Sequence, residues 1–309
     1  MANLRELSQR EEKLTGGHRL CAGCGASIAV RQILTAADAP VVVGCATGCL
    51  EVSTTVYPYT AWKPSYIHSA FENVSATISG VESAYNALRR TGKLKQEFKF
   101  VAFGGDGGTY DIGLQSLSGA LERGHKFVYV CYDNGAYMNT GIQRSGATPL
   151  GAWTTTTPLG KETSGKTISR KDLSGIIAAH NIPYIGQASV SHWKDLTAKA
   201  EKAFAADGPA FLNVLSPCPR GWRSASNETV EIARLGVQTR YWPMFEIENG
   251  KWRMTVKVRE PKPIEEWLKP QGRFKHLFAP GNEHLLEAVR RDVEEQYERV
   301  LKRCQETSD

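Results

Sequence analysis

The chain has 309 residues, 41% hydrophobic and 23% charged, enough for one large or two modest domains with an ample core. Its 38 Lys and Arg against 32 Asp and Glu leave +6, too mild and too scattered for a nucleic-acid-binding surface. The opening stretch is charged where a signal peptide would be apolar, and no apolar run approaches the roughly 20 residues that span a bilayer, so we expect a cytoplasmic protein with neither membrane nor nucleic-acid partners.

Taken in order, residues 1–20 read as an arm leading to Cys21-Ala22-Gly23-Cys24-Gly25, followed by a helix over about 26–36. Val41-Val42-Val43 is a short strand running into Gly44-Cys45-Ala46-Thr47-Gly48-Cys49. Residues 54–66, rich in Tyr, Trp and Pro, predict irregular structure, and helical spacing returns over about 70–88. Phe100-Val101-Ala102-Phe103 fits a buried strand. After it, Gly104-Gly105-Asp106-Gly107-Gly108 lets the backbone turn sharply and approach a ligand closely. Ile112, Leu114, Leu117, Ala120 and Leu121 then recur at helical spacing, with Gly124 placed to end the helix. A second apolar run over 127–132 stops at Asp133-Asn134. This strand–helix–strand unit has parallel strands that finish at one edge of the sheet. Asp106 and Asn134, 28 positions apart, therefore emerge together at the carboxyl edge, where open α/β sheets bind ligands.

One carboxylate and one amide oxygen there suit a hard divalent ion such as Mg2+, which takes oxygen ligands at roughly 2.0–2.1 Å and shares them with phosphates. Gly-Asp-Gly followed at the end of the next strand by Asn is the pattern of thiamine-diphosphate enzymes, where Mg2+ bridges protein to diphosphate. Alone, Gly-Asp-Gly also fits a structural turn; the Asn favours the cofactor.

Residues 144–168 form a polar loop containing Thr154, Thr155, Thr156 and Thr157, long enough to be functional. A helix over 171–180, a strand over 184–188, a helix over 193–205 and a strand over 211–215 lead to Ser216-Pro217-Cys218-Pro219. Asn249-Gly250 then marks a two-residue hairpin, and Leu286, Val289, Val293, Tyr297 and Val300 form the stripe of an amphipathic helix over 283–301. The alternation gives an α/β fold, a parallel sheet flanked by helices, over 1–240, with a C-terminal extension over 241–309.

Seven cysteines in a reducing compartment point to free thiols or a metal site rather than disulfides. Cys21 and Cys24 make a C-x2-C pair, and Cys49 and Cys218 lie in turns with small neighbours. Four converging thiolates suit tetrahedral zinc or an iron–sulfur cluster, and packed free thiols are the plainer alternative. Zinc ribbons usually carry two C-x2-C pairs; one pair favours a cluster. Cys45, Cys131 and Cys304 read as core or surface thiols.

Longer motifs sharpen this picture: HRLCAGCGA (18–26), ATGCLEV (46–52), PYTAWKPSYIHSAFEN (58–73), GGDGGTYDIG (104–113), YMNTGIQRSGATP (137–149) and SPCPRGW (216–222). Across nearly its whole length the chain resembles the beta subunit of 2-oxoacid:ferredoxin oxidoreductases, most closely the pyruvate type. The resemblance implies a thiamine-diphosphate-binding fold, with a [4Fe–4S] cluster on Cys21, Cys24, Cys49 and Cys218. It implies Mg2+ held by Asp106, the Asn134 side chain and the Ala136 carbonyl, with Gly105 and Gly107 along the cofactor. Asn139, beside Thr140, falls where the family places an Asn near the thiamine and the substrate, and Gly48 and Cys49 fall where cluster and cofactor approach.

The implied reaction is oxidative decarboxylation of a small 2-oxoacid, pyruvate or, as a close second, oxalate. Electrons would leave singly through the cluster to ferredoxin, with coenzyme A taking the acyl group in the pyruvate case. The implied partners are an alpha subunit with the pyrimidine-binding domain and gamma- and delta-type subunits with ferredoxin-like clusters. One departure is Gly135, which stands where pyruvate enzymes carry Glu. The competing readings are a non-redox thiamine-diphosphate decarboxylase or carboligase with a structural zinc, and a nucleotide-binding or electron-carrying module. Against the module, Gly-Asp-Gly does not match the G-x-G-x-x-G fingerprint. His18, His68 and Glu72 are further candidates to line the site, Thr154 to Thr157 to border its entrance, and Trp62 and Trp153 read as packing elements.

Overall fold

Strand and helix alternate along most of the computed structural model, which describes residues 3–307. Residues 1, 2, 308 and 309, the outermost of the expected arm and extension, lie outside the described residues. The strands are β1 (Val41–Ala46), β2 (Ser65–Ser69), β3 (Lys99–Gly105), β4 (Val128–Asp133), β5 (Tyr184–Ser189), β6 (Ala210–Leu215), β7 (Met244–Glu248) and β8 (Lys251–Val256). They form one sheet in the order β2-β1-β3-β4-β6-β5-β7-β8. β1 to β6 pair in parallel, whereas β7 joins β5 and β8 joins β7 antiparallel.

Every residue of β4, β5 and β6 is buried, as parallel strands covered on both faces require. On one face, the helices Gly25–Ala36 and Trp193–Ala205 pack Ile33, Leu34, Leu196 and Ala200 into a core with Val43, Val130 and Leu212. On the other, Val74–Arg90 and Leu114–Glu122 pack Ile78, Leu117 and Leu121 with Ala102, Tyr129 and Phe211. The last helix, Glu283–Glu306, sends Val289 and Val293 into the first core and Tyr297 and Val300 into the second. Its apolar stripe is thus buried within this chain. Asn249 and Gly250 have φ of 50° and 81°, the positive pair that a two-residue hairpin turn demands, and the hairpin continues the main sheet through β5.

Three local expectations change. Residues 54–66 are not irregular throughout: a helix, Cys49–Thr54, ends at their start, and β2 begins at Ser65. β2 is an edge strand with Ser65, Ile67 and His68 exposed, so it lacks the apolar run that marks a buried strand. β1 runs on to Ala46, through Gly44 and Cys45, because β2 and β3 pair with it on both sides. The glycine-rich turn is a π-helical turn, Gly107–Ile112, whose extra residue rotates Ile112 off the apolar stripe and leaves it 56% exposed. Among the described residues no helix is long and apolar enough to cross a membrane.

Candidate active site

Four adjacent strands, β1, β3, β4 and β6, end side by side, and their carboxyl ends deliver Thr47-Gly48-Cys49, Asp106, Asn134 and Cys218. A shallow cleft of about 30 Å³ lies among these ends. It is lined by Gly48 and Cys49, by Gly105, Asp106 and Gly107, and by the segment from Asn134 through Ala136, Asn139 and Thr140. Every cofactor-contacting residue expected from the sequence except Cys21, Cys24 and Cys218 lines this one cleft.

Asp106 is fully buried. The Ser145 hydroxyl donates to its Oδ2 at 2.5 Å, and the Asn134 backbone N–H donates to Oδ1 at 3.2 Å. Burial, and then the neighbouring Asp133, push its carboxyl well above the usual carboxylate range. The side-chain oxygen of Asn134 lies 3.0 Å from Asp106 Oδ1 and 2.9 Å from the Ala136 carbonyl oxygen. Three acceptor oxygens at such spacing repel. Either the amide turns over to donate its NH2 to both, or a cation sits among them. The Tyr137 hydroxyl donates to the Gly107 carbonyl at 2.8 Å, and a Cβ at position 107 would meet the Tyr137 ring at 2.4 Å, so only glycine fits there.

A buried network fixes the segment that carries Asn134. Asp133 Oδ1 accepts from the Gly135 N–H at 3.2 Å, and its Oδ2 accepts from the Tyr110 hydroxyl at 2.6 Å and Arg170 Nη2 at 2.5 Å. Asn213 Nδ2 donates to the Tyr110 oxygen at 3.0 Å, and the Arg170 guanidinium lies 4.5 Å over the Trp242 ring. Thr148 Oγ1 donates to the Gly135 carbonyl at 2.7 Å, and the Lys166 amine donates to the Thr148 carbonyl. The Trp222 indole N–H donates to the Asn134 carbonyl at 2.6 Å. Sequence reasoning assigned none of Ser145, Arg170 and Trp222 a role. Ser145 and Trp222 lie inside motifs that drew attention, whereas Arg170 carries no local signal.

The thiols gather beside this network. The Gly25 N–H donates to the Pro217 carbonyl at 3.0 Å, and Thr229 Oγ1 donates to the Gly23 carbonyl at 2.6 Å, so the Cys21–Cys24 turn rests on the Cys218 turn. A Cβ at Gly25 would come within 2.6 Å of Ser216 backbone. Burial pushes the Cys49 thiol up to about 12, helped in turn by Cys218, Cys24, Cys21 and Asp106. Cys218 is likewise pushed up to about 11 by burial, and its Sγ accepts from the Gly221 N–H at 3.3 Å. The four thiols therefore share one neighbourhood, with Cys49 within electrostatic reach of Asp106. Among the described residues, however, no three His, Cys, Asp or Glu side chains stand in a metal-binding array. Tyr132 is buried between the two groups: a Cβ at Gly48 would meet its hydroxyl at 2.8 Å and one at Gly105 at 3.3 Å. Cys45 and Cys131 are buried in the core, and Cys304 is half-buried.

His18, His68 and Glu72 do not line the cleft. His68 Nε2 instead lies 2.7 Å from Thr47 Oγ1 and 3.8 Å from Glu51. Trp62 is buried, donates to Thr54 Oγ1 at 2.7 Å and stacks on Tyr66, while Trp153 carries the Arg223 guanidinium 3.8 Å over its ring. Thr154 and Thr157 pair through their hydroxyls at 2.7 Å and close a turn of the polar loop.

Three comparisons bear on this geometry. Residues 42–214, more than half the chain and spanning β1 to β6, match the family described as thiamine pyrophosphate enzyme, C-terminal TPP binding domain. Pyruvate synthase subunit PorB of Thermotoga maritima is 54% identical, covering 97% of this chain and 95% of that protein. The PorB of Methanocaldococcus jannaschii is 51% identical over 87% of this chain and 91% of its own length. Ketoisovalerate oxidoreductase subunit VorB of Pyrococcus abyssi is 46% identical over 94% and 93%. The solved 2-oxoglutarate:ferredoxin oxidoreductase of Magnetococcus marinus shares the fold, with a TM-score of 0.57 and 20% identity over 76% of this chain and 81% of that one. A doubly covered parallel sheet presenting Asp106 and Asn134 at its carboxyl edge, in a sequence this close to those relatives, places the chain in one family: it is a beta subunit of the 2-oxoacid:ferredoxin oxidoreductases.

Proposed function

We propose that this chain supplies the diphosphate-binding half of a pyruvate-oxidising active site. Thiamine diphosphate is anchored through Mg2+ on Asp106, Asn134 and the Ala136 carbonyl, and a [4Fe–4S] cluster on Cys21, Cys24, Cys49 and Cys218 passes electrons towards ferredoxin. The oxygen triad carries this reading. Octahedral Mg2+ at about 2.1 Å sets neighbouring ligand oxygens roughly 3 Å apart. Asn134 Oδ1 stands 3.0 Å from Asp106 Oδ1 and 2.9 Å from the Ala136 oxygen. A wholly buried carboxylate also gains most from a cation at its side. The thiols fit a cluster in the same way: burial pushes Cys24, Cys49 and Cys218 towards the protonated form, and they would give up those protons when a metal binds.

Thiamine diphosphate supplies the carbanion chemistry of decarboxylation. Around it this chain binds and orients. Gly105 and Gly107 line the cleft where the diphosphate would lie, and Asn139 and Thr140 offer an amide and a hydroxyl along it. A cleft of about 30 Å³ is one wall only, since ligand pockets run to roughly 300–1,000 Å³. That supports a second wall from an alpha subunit with the pyrimidine-binding domain, with gamma- and delta-type subunits carrying electrons onward. Pyruvate, with coenzyme A as acyl acceptor, is preferred to oxalate and to branched 2-oxoacids, because the pyruvate synthase relatives are more similar than the ketoisovalerate one. Membership of an oxidoreductase family speaks against a non-redox decarboxylase or carboligase.

The test is EPR and visible spectroscopy of the anaerobically purified complex, with pyruvate or oxalate, without and then with coenzyme A. Reduction by pyruvate, enhanced by coenzyme A, is expected. Reduction by oxalate alone would reassign the substrate, and zinc at the cysteines would overturn the cluster.

A further inference from the structure

Arg273 is 2% exposed and lies in the 3-10 turn Gly272–Phe278. Its Nε donates to Gln271 Oε1 at 3.0 Å, and its Nη2 is buried without a hydrogen-bond partner among the described residues. The guanidinium is boxed by aromatic rings, 4.1 Å from Trp222, 5.0 Å from Phe274 and 5.8 Å from Trp267. Ring faces attract a cation without neutralising it. Trp222 is also the residue that joins the two halves of the site: its backbone N–H donates to the Cys218 carbonyl at 2.8 Å, and its indole N–H to the Asn134 carbonyl at 2.6 Å. Burial holds Arg273 down to about 10, so it is charged at neutral pH. Tyr241 offsets that burial most, followed by Cys218, Asp133 and Asp106.

On the remaining side stands Gly135. Its φ is +77°, and a Cβ there would meet Arg273 Nη1 at 3.0 Å. An acidic side chain at this position would sit on the guanidinium and cancel it; glycine does not. A buried charge so placed is costly unless something negative faces it.

We infer that Arg273 is a positioning charge for electron transfer: a cation in a buried aromatic box, facing no acidic side chain at Gly135, that raises the reduction potential of the centre bound at Cys218. The inference rests on the proposal that Cys21, Cys24, Cys49 and Cys218 hold an iron–sulfur cluster. The two electrons released as the 2-oxoacid loses CO2 would leave one at a time, and the gain of one at that centre makes and breaks no bond there, so the reduced form carries one more negative charge. A fixed cation in low dielectric favours it.

The experiment is a redox titration followed by EPR on the full-length chain, purified anaerobically, as wild type, R273Q, R273K and G135D, with iron and sulfide analysis first. For R273Q the oxidised-to-reduced ratio at fixed potential is expected to rise at least tenfold, which is 59 mV more negative for one electron. R273K keeps most of the wild-type potential. G135D, with Asp tolerated at positive φ better than most residues, shifts in the same direction as R273Q while leaving the arginine in place. Should R273Q fail to fold, R273K and G135D decide. Wild-type potentials in both R273Q and G135D, or in G135D alone if R273Q is lost, would reduce Arg273 to a packing element and overturn the inference. Wild-type protein that carries zinc or no iron would instead overturn the cluster reading on which it stands.

Discussion

The oxygen site and the thiol site lie against each other, yet they are built differently. Asp106, Asn134 and Ala136 are held from behind by Ser145, Asp133, Arg170 and Trp222, so their oxygens already stand near 3 Å apart. The four thiols share a neighbourhood, but Cys21 is exposed and no three of them form an array. The difference follows from the chemistry. Carboxylate and amide oxygens bind Mg2+ weakly one at a time, so preorganisation has to supply the affinity. Thiolates bind their metals strongly enough to draw a loose set together.

Breaking the scaffold of one site tests this contrast, and the largest effect falls on its buried ion pair. Arg170→Met leaves Asp133 uncompensated in the core, and urea denaturation should report a loss of about 3–5 kcal/mol. Iron content of the protein that does fold should be unchanged. Asp106→Asn removes the carboxylate from the proposed Mg2+ site. Calorimetry should show Mg2+-dependent binding of thiamine diphosphate weakened by about a hundredfold, or ~2.7 kcal/mol, again with iron content intact.

Trp222→Phe sharpens the comparison rather than breaking it, because Trp222 touches both sites. Loss of the indole hydrogen bond should cost about 1 kcal/mol and weaken cofactor binding about fivefold. It should also move the EPR signal of the proposed cluster; an unmoved signal would mean that the sites are mechanically independent. The smallest effect is a pH dependence. Burial holds the Lys166 amine, which supports the loop through Thr148, down to about 8. Unfolded, a lysine titrates near about 10.4. Between those values the unfolded chain binds more protons, so stability should rise with pH through that window. Lys166→Met should flatten the rise, as denaturation curves at the two ends of the window would record.

Much of this was legible from local pattern. The runs over 100–103 and 127–132, the Gly-Asp-Gly turn and the Cys21–Cys24 pair each announce themselves within a few residues, and parallel strands joined by one helix bring Asp106 and Asn134 to one edge without further information. β2 escaped because an edge strand needs only its partner β1, not an apolar run of its own. Ile112 was misread because a π turn breaks the helical period on which the reading relied.

The sequence alone, then, determined the alternation of strand and helix, the candidate oxygen and sulfur side chains and the turns that carry them, since each depends on neighbours along the chain. Tertiary structure alone decided that β1, β3, β4 and β6 end side by side, that β7 extends the sheet through β5, and that Arg170, Trp222 and Arg273 stand behind the site. Those residues act through charge and packing across distant segments. Burial is what gives such a charge its strength, and burial is a property of the folded chain.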